Sequence, residues 1–171
     1  GGMSPAPLAA VARGTGRYNP THLMAAHVRD VLLARNLERG RAEALLGPYG
    51  FQDPSGADRN LQALAQDPIA RHALADLLPE LLRCLAASAA PDAALNHLER
   101  FSRSSGNPIA LLSHLRDSPR AIELLALTLG ASAFMAEILI RHPAWFYWLS
   151  DPEVLGRARG TEHIEHDLSG A

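Results

Sequence analysis

A chain of 171 residues, 47% of them apolar, is long enough to bury one hydrophobic core without metal or disulfide staples. Its single cysteine, Cys84, excludes an internal disulfide and a cysteine-based zinc site, and reads as a small core hydrophobe. The formal charge of −2, with all 16 basic residues arginine, gives no excess for binding a polyanion.

In chain order, residues 1–20 are rich in Gly, Ala, Pro and Ser and show no apolar periodicity. They predict a disordered tail, with Gly1-Gly2 before Met3 a cloning remnant. Residues 21–157 carry the periodic pattern of one helical domain, and 158–171 read as the polar end of an excised piece.

Within the domain one signal recurs: a small or capping residue, then proline, then apolar residues at helical spacing. It occurs at Asp53-Pro54, Asp67-Pro68, Ala90-Pro91, Asn107-Pro108, Ser118-Pro119, His142-Pro143 and Asp151-Pro152. An Asp, Asn or Ser side chain accepts from the first free amides of a helix, and proline at the next position lacks only an N–H that the helix does not use. The spacing predicts helices over 21–36, 39–46, 54–66, 68–78, 79–88, 91–104, 108–117, 119–130, 132–141, 143–150 and 152–157. Pro79 interrupts the series Leu74, Leu77, Leu78, Leu81, Leu82, Leu85, so the helix there either kinks or restarts. No stretch alternates as a half-buried strand does, and the proline punctuation has no fixed period. The expected fold is therefore all-α, an irregular bundle of many short helices with no sheet.

The apolar runs Ile138–Ile140 and Ala144–Leu149 are too short to cross a bilayer, and the N-terminus lacks a basic region followed by an apolar one. A soluble, cytoplasmic chain with no membrane partner is expected. Of the eight histidines, His163 and His166 lie three apart among Glu162, Glu165 and Asp167, and are weak metal-ligand candidates at a polar end. His22, His27, His72, His97, His114 and His142 have no zinc-ligand spacing and read as surface or cap residues. Arg29, Arg35, Arg39 and Arg41 cluster, but Asp30, Glu38 and Glu43 interleave with them as in a salt-bridged exposed face, so no nucleic-acid partner is expected. No Gly-x-Ser-x-Gly turn and no lysine-containing phosphate loop is present. The chain therefore shows no catalytic residue and no cofactor site of its own.

Trp145, Phe146, Tyr147 and Trp148 are consecutive. Helical neighbours point about 100° apart, so they cannot all face one core. The expectation is a large core plug from which one or two rings reach outward, with Trp145, Tyr147 and Trp148 as possible partner contacts. Phe51, Phe101, Phe134 and Trp145 are the expected packing anchors.

Three stretches carry a resemblance: Gly50-Phe51-Gln52-Asp53-Pro54 leading to Ala57 and Leu61, then Ala94-Leu95-Asn96-His97-Leu98-Glu99-Arg100-Phe101, then Leu129 to Pro152. Their order and separation resemble the helical region at the N-terminal side of glutamine synthetase adenylyltransferases, over about residues 50 to 152. The resemblance implies a large bifunctional nucleotidyltransferase that removes AMP from glutamine synthetase in one domain and attaches it in another. It also implies ATP and Mg²⁺ as cofactors of the parent enzyme, and glutamine synthetase and a PII-type signalling protein as partners. The catalytic motif of such domains is a Gly-Ser turn followed by two acidic residues at i and i+2, and this chain has neither a Gly-Ser pair nor Asp-x-Asp. The nearest stretch, Gly160-Thr161 with Glu165-His166-Asp167, is one residue too long and lacks a flanking apolar strand. The resemblance thus implies a supporting, non-catalytic helical part, in contact with the catalytic domains of the same polypeptide. The alternative is a free-standing helical protein-protein interaction module.

Overall fold

The computed structural model describes residues 28–33, 37–151 and 153–154. After a 3-10 turn over Arg29–Leu32 come eight α-helices: α1 (Arg39–Leu46), α2 (Pro54–Leu64), α3 (Pro68–Ala86), α4 (Pro91–Ser104), α5 (Pro108–Asp117), α6 (Pro119–Ala131), α7 (Ala133–Arg141) and α8 (Pro143–Leu149). A second 3-10 turn, Gly47–Tyr49, follows α1. No strand occurs among the described residues, and the architecture is the expected all-α bundle.

The capping logic sets most helix starts. Asp53 accepts from the Gly56 amide at 2.9 Å, Asp67 from the Ile69 and Ala70 amides, Asn107 from Ala110, Ser118 from Ala121 and Ser132 from Met135. Ala90 and His142 make no such side-chain bond, so α4 and α8 start on proline geometry alone. Asp92, in the first turn of α4, instead accepts from the Gln52 and Asp53 amides at 2.8 and 3.0 Å, which ties the loop before α2 to α4. That loop leaves the second 3-10 turn through Gly50 at φ 83°, a left-handed conformation that glycine adopts without a Cβ clash.

Helices α3, α4 and α6 form the centre. α4 packs on α6 and α2, and α3 packs on α5 and α6, while α1 closes one side against α2. The core holds Leu46, Leu61, Leu74, Leu78, Leu82, Leu85, Leu95, Leu98, Phe101, Leu111 and Leu112, all fully buried. At Gly130 on α6 an added Cβ would lie 2.6 Å from the Ser88 side chain and 3.2 Å from Ala94 Cβ, so α6 reaches the α3–α4 corner only because this residue has no side chain.

The structure corrects three expectations. The segments 68–78 and 79–88 are one continuous helix, α3, with Pro79 inside it. The apolar face runs through the proline from Leu74 to Leu85, and burying that whole face outweighs the roughly 3 kcal/mol that an internal proline costs. Phe134 and Trp145 are not packing anchors, since they are 72% and 54% exposed, whereas Phe51 and Phe101 are buried. The aromatic run is not a large core plug either, because of its four rings only Phe146 is buried. Most of the predicted helix 21–36, and the predicted helix 152–157 apart from residues 153–154, lie outside the described residues. So do the tail 1–20, the polar end 158–171 and Arg35.

Candidate docking face

Helices α7 and α8 are joined by His142 alone, since α7 ends at Arg141 and Pro143 opens α8. With an i, i+3, i+4 repeat, α7 turns Ala136 and Leu139 into the core and leaves Phe134, Ile138 and Arg141 along another face. Ala133, Phe134, Glu137, Ile138 and Arg141 line a shallow groove of about 360 Å³. Across its edge Arg100 of α4 bonds Glu137 at 2.5 Å. That bond holds the Glu137 carboxyl below the usual carboxylate range and raises the Arg100 guanidinium.

In α8, Phe146 is the inward residue, edge-on to Phe101 with ring centres 5.5 Å apart. One residue before it and two after it, the rings swing outward: Trp145 is 54% exposed and stacks on His142 at 4.9 Å, and Trp148 is 64% exposed. Tyr147 is 36% exposed, the least of the three outward rings, and tilted against His114 and Phe146, and partial burial raises its hydroxyl pKa. His114 Nε2 lies 2.9 Å from Ser150 Oγ, which itself donates to the Tyr147 carbonyl, so α5 fixes the end of α8. His97 of α4 donates from Nδ1 to the Leu129 carbonyl at 2.9 Å. These two histidines are half-buried ties between helices, where the sequence had suggested surface or cap positions; His72 and His142 are exposed.

Eight large apolar side chains are exposed among the described residues, and five of them (Phe134, Met135, Trp145, Tyr147, Trp148) lie on α7 and α8. The sequence singled out Trp145, Tyr147 and Trp148 as possible contacts. It placed Phe134 in the core and did not find the Arg100–Glu137 tie, which joins two helices 37 residues apart in sequence and leaves no local signal.

The other candidates resolve into structural roles. Cys84 is buried, its thiol pushed up to about 11 first by desolvation and against the pull of Arg83, a setting that opposes thiolate chemistry. Arg41 pairs with Asp30 at 3.8 Å, so part of the arginine cluster is the mixed-charge face expected. An open cleft lined by Leu32, Leu33, Gln62, Gln66, Pro68 and Arg71 has its Arg71 and Gln62 donating to the Leu32 and Val31 carbonyls, which secures the first 3-10 turn. His163, His166 and the Gly160 to Asp167 stretch lie outside the described residues. Among the described residues no group of three or more His, Cys, Asp or Glu is placed to hold a metal ion. No helix of the described residues is long and apolar enough to cross a membrane.

Fold and surface together define a helical bundle whose last two helices, α7 and α8, carry five of the eight large apolar side chains exposed among the described residues. The chain is 37% identical over 134 residues to the bifunctional glutamine synthetase adenylyltransferase/adenylyl-removing enzyme of Leifsonia xyli subsp. xyli, a match covering 75% of this chain and 13% of that protein. It is 35% identical over 147 residues to the protein of the same name from Streptomyces avermitilis, covering 83% and 14%, and 33% identical over 129 residues to that of Stenotrophomonas maltophilia strain K279a, covering 71% and 14%. No protein-family model and no solved structure matches. The chain belongs, as one segment, to the glutamine synthetase adenylyltransferase family, and it spans about one seventh of the length of these curated relatives.

Proposed function

We propose that this chain is the N-terminal helical, non-catalytic region of a bifunctional glutamine synthetase adenylyltransferase/adenylyl-removing enzyme. It supports the adjoining nucleotidyltransferase-type domain and so takes part in the control of nitrogen assimilation in the cytoplasm. The observation that carries this reading is the identity to such enzymes along most of the helical stretch. ATP and Mg²⁺ are then handled elsewhere in the polypeptide, and glutamine synthetase is its substrate, with a PII-type protein as regulator.

The test is to assay the full polypeptide that carries this segment for transfer of AMP from ATP to glutamine synthetase and for its removal, beside the 171-residue chain alone. Both activities in the full polypeptide and neither in the short chain are expected. An inactive full polypeptide, or an active short chain, would overturn the reading. The second reading, a free-standing interaction module, is favoured by the exposure of Trp145 and Trp148, and predicts a natural polypeptide no longer than this chain.

A further inference from the structure

Three side chains on α2 and α3 hold the chain ahead of α1 by its main chain. Asp58 of α2, 3% exposed, accepts from the Leu37 amide at 3.0 Å. Gln62, one turn further along α2, donates to the Val31 carbonyl at 2.7 Å, and Arg71 of α3 donates to the Leu32 carbonyl. The three are also bonded to one another in series: Arg71 Nη1 donates to Gln62 Oε1, and Gln62 Nε2 to Asp58 Oδ1, both at 3.3 Å. One connected row of side chains thus reaches three main-chain groups between positions 31 and 37.

The turn that this row holds has little internal support. It is a 3-10 turn of four residues, Arg29–Leu32, with no side-chain cap, and the pair that ties it to α1, Arg41–Asp30, is partly exposed and 3.8 Å long. Val28, Val31 and Leu32 are buried at i, i+3, i+4 spacing, while Leu33 beside them is 83% exposed. The turn therefore rests on three apolar side chains and on the Arg71–Gln62–Asp58 row. Each member of the row can exchange its main-chain partner for water, so the row adds modest stability but links the three points of attachment. With the turn lifted, α2 still packs on α1 and α4, and α3 on α5 and α6.

We propose that the segment from Val28 to Leu33 is a strap that lifts from α2 and α3 as one unit while the rest of the bundle stays folded, and that the Arg71–Gln62–Asp58 row is its latch. Lifting bares the apolar seat of Val28, Val31 and Leu32 and returns the buried Asp58 carboxylate to water. Because the row joins the three attachment points, loosening one of them loosens the others. The latch takes two carbonyls and an amide and no side chain, so the spacing of the three apolar residues alone sets the register in which the strap closes.

Residue-resolved amide hydrogen exchange of the 171-residue chain, in urea below its unfolding midpoint, tests this. It is read at Leu33, whose amide bonds the Asp30 carbonyl, at Leu37, and at interior amides of α3. In the unsubstituted chain Leu33 and Leu37 should exchange about ten-fold or more faster than α3 and depend less on urea, as an opening that exposes little surface does. Exchange of both amides only together with α3, in global unfolding, would overturn the proposal. The linkage is read at the amide that each substitution does not touch. Arg71→Ala, at a half-buried position, should raise Leu37 exchange about three- to ten-fold although that amide keeps Asp58, and Asp58→Ala should raise Leu33 exchange by a similar factor although that amide keeps Asp30, with α3 unchanged in both. A response confined to the amide beside each substitution means independent fraying, and an equal rise in α3 means that the row supports the whole bundle; either result overturns the proposal. If Asp58→Ala does not fold, Arg71→Ala decides alone.

Discussion

Helices α3 and α4 on one side, and α7 and α8 on the other, are built from similar amounts of large apolar side chain, yet they use it differently. In α3 the residues from Leu74 to Leu85 line one continuous buried face, and α4 does the same with Leu95, Leu98 and Phe101. In α7 and α8 the buried contribution falls to Ala136, Leu139 and Phe146, and the largest rings point away. The difference follows from neighbours. α3 and α4 each have several helices packed on them; α7 meets α4 and α6 with one face and leaves the other uncovered, and α8 meets chiefly α7, with Phe146 against Phe101 of α4 and its end tied to α5. Apolar composition tells how much surface an element can bury, and the faces its neighbours cover decide how much it does.

The sharpest way to break this contrast is to truncate one phenylalanine from each region. Phe101→Ala should cost about 3 to 5 kcal/mol in urea unfolding, as a fully buried ring leaving a cavity, whereas Phe134→Ala in the same chain should stay within about 0.5 kcal/mol. Equal losses would mean that α7 packs as tightly as α4. Next in size is Gly130→Ala, where the new Cβ meets Ser88 and Ala94; overpacking there should lower stability by about 1 to 3 kcal/mol, read as a reduced urea midpoint with unchanged slope.

Asp67→Ala removes a cap that serves two amides of α3 and should cost about 1 kcal/mol in thermal unfolding. The smallest effect sharpens the picture of α7. Because Arg100 depresses the Glu137 pKa, the stabilising contribution of that pair is present above the ordinary carboxylate pKa and is lost as pH falls through the depressed one. Amide exchange in α7 should therefore rise on acidification below the usual carboxylate range relative to α3, and Glu137→Gln should flatten that difference.

Much of the fold is legible in the residues. The dipeptides Asp53-Pro54, Asp67-Pro68, Asn107-Pro108 and Ser118-Pro119 start helices because capping and proline geometry act within four residues and need no tertiary partner. Pro79 misleads for the same reason: its local cost is real, and only the burial of Leu74, Leu78, Leu82 and Leu85 along one face reverses it. The docking face was half legible. Four consecutive aromatics cannot share a core, so some had to face outward, but which one faces inward depends on where Phe101 and His114 stand in space.

The sequence by itself determined the all-α class, the positions where most helices begin, the role of Cys84 as a core residue and the family, because caps, periodicity and short motifs are local or linear properties. Only the tertiary structure decided that α3 runs through its proline, that Phe146 and not Trp145 anchors α8, and that Gly130 is needed at the α3–α4 corner. Each of these depends on which surfaces meet, and that is set by the rotation of one helix against another, which no single stretch of sequence contains.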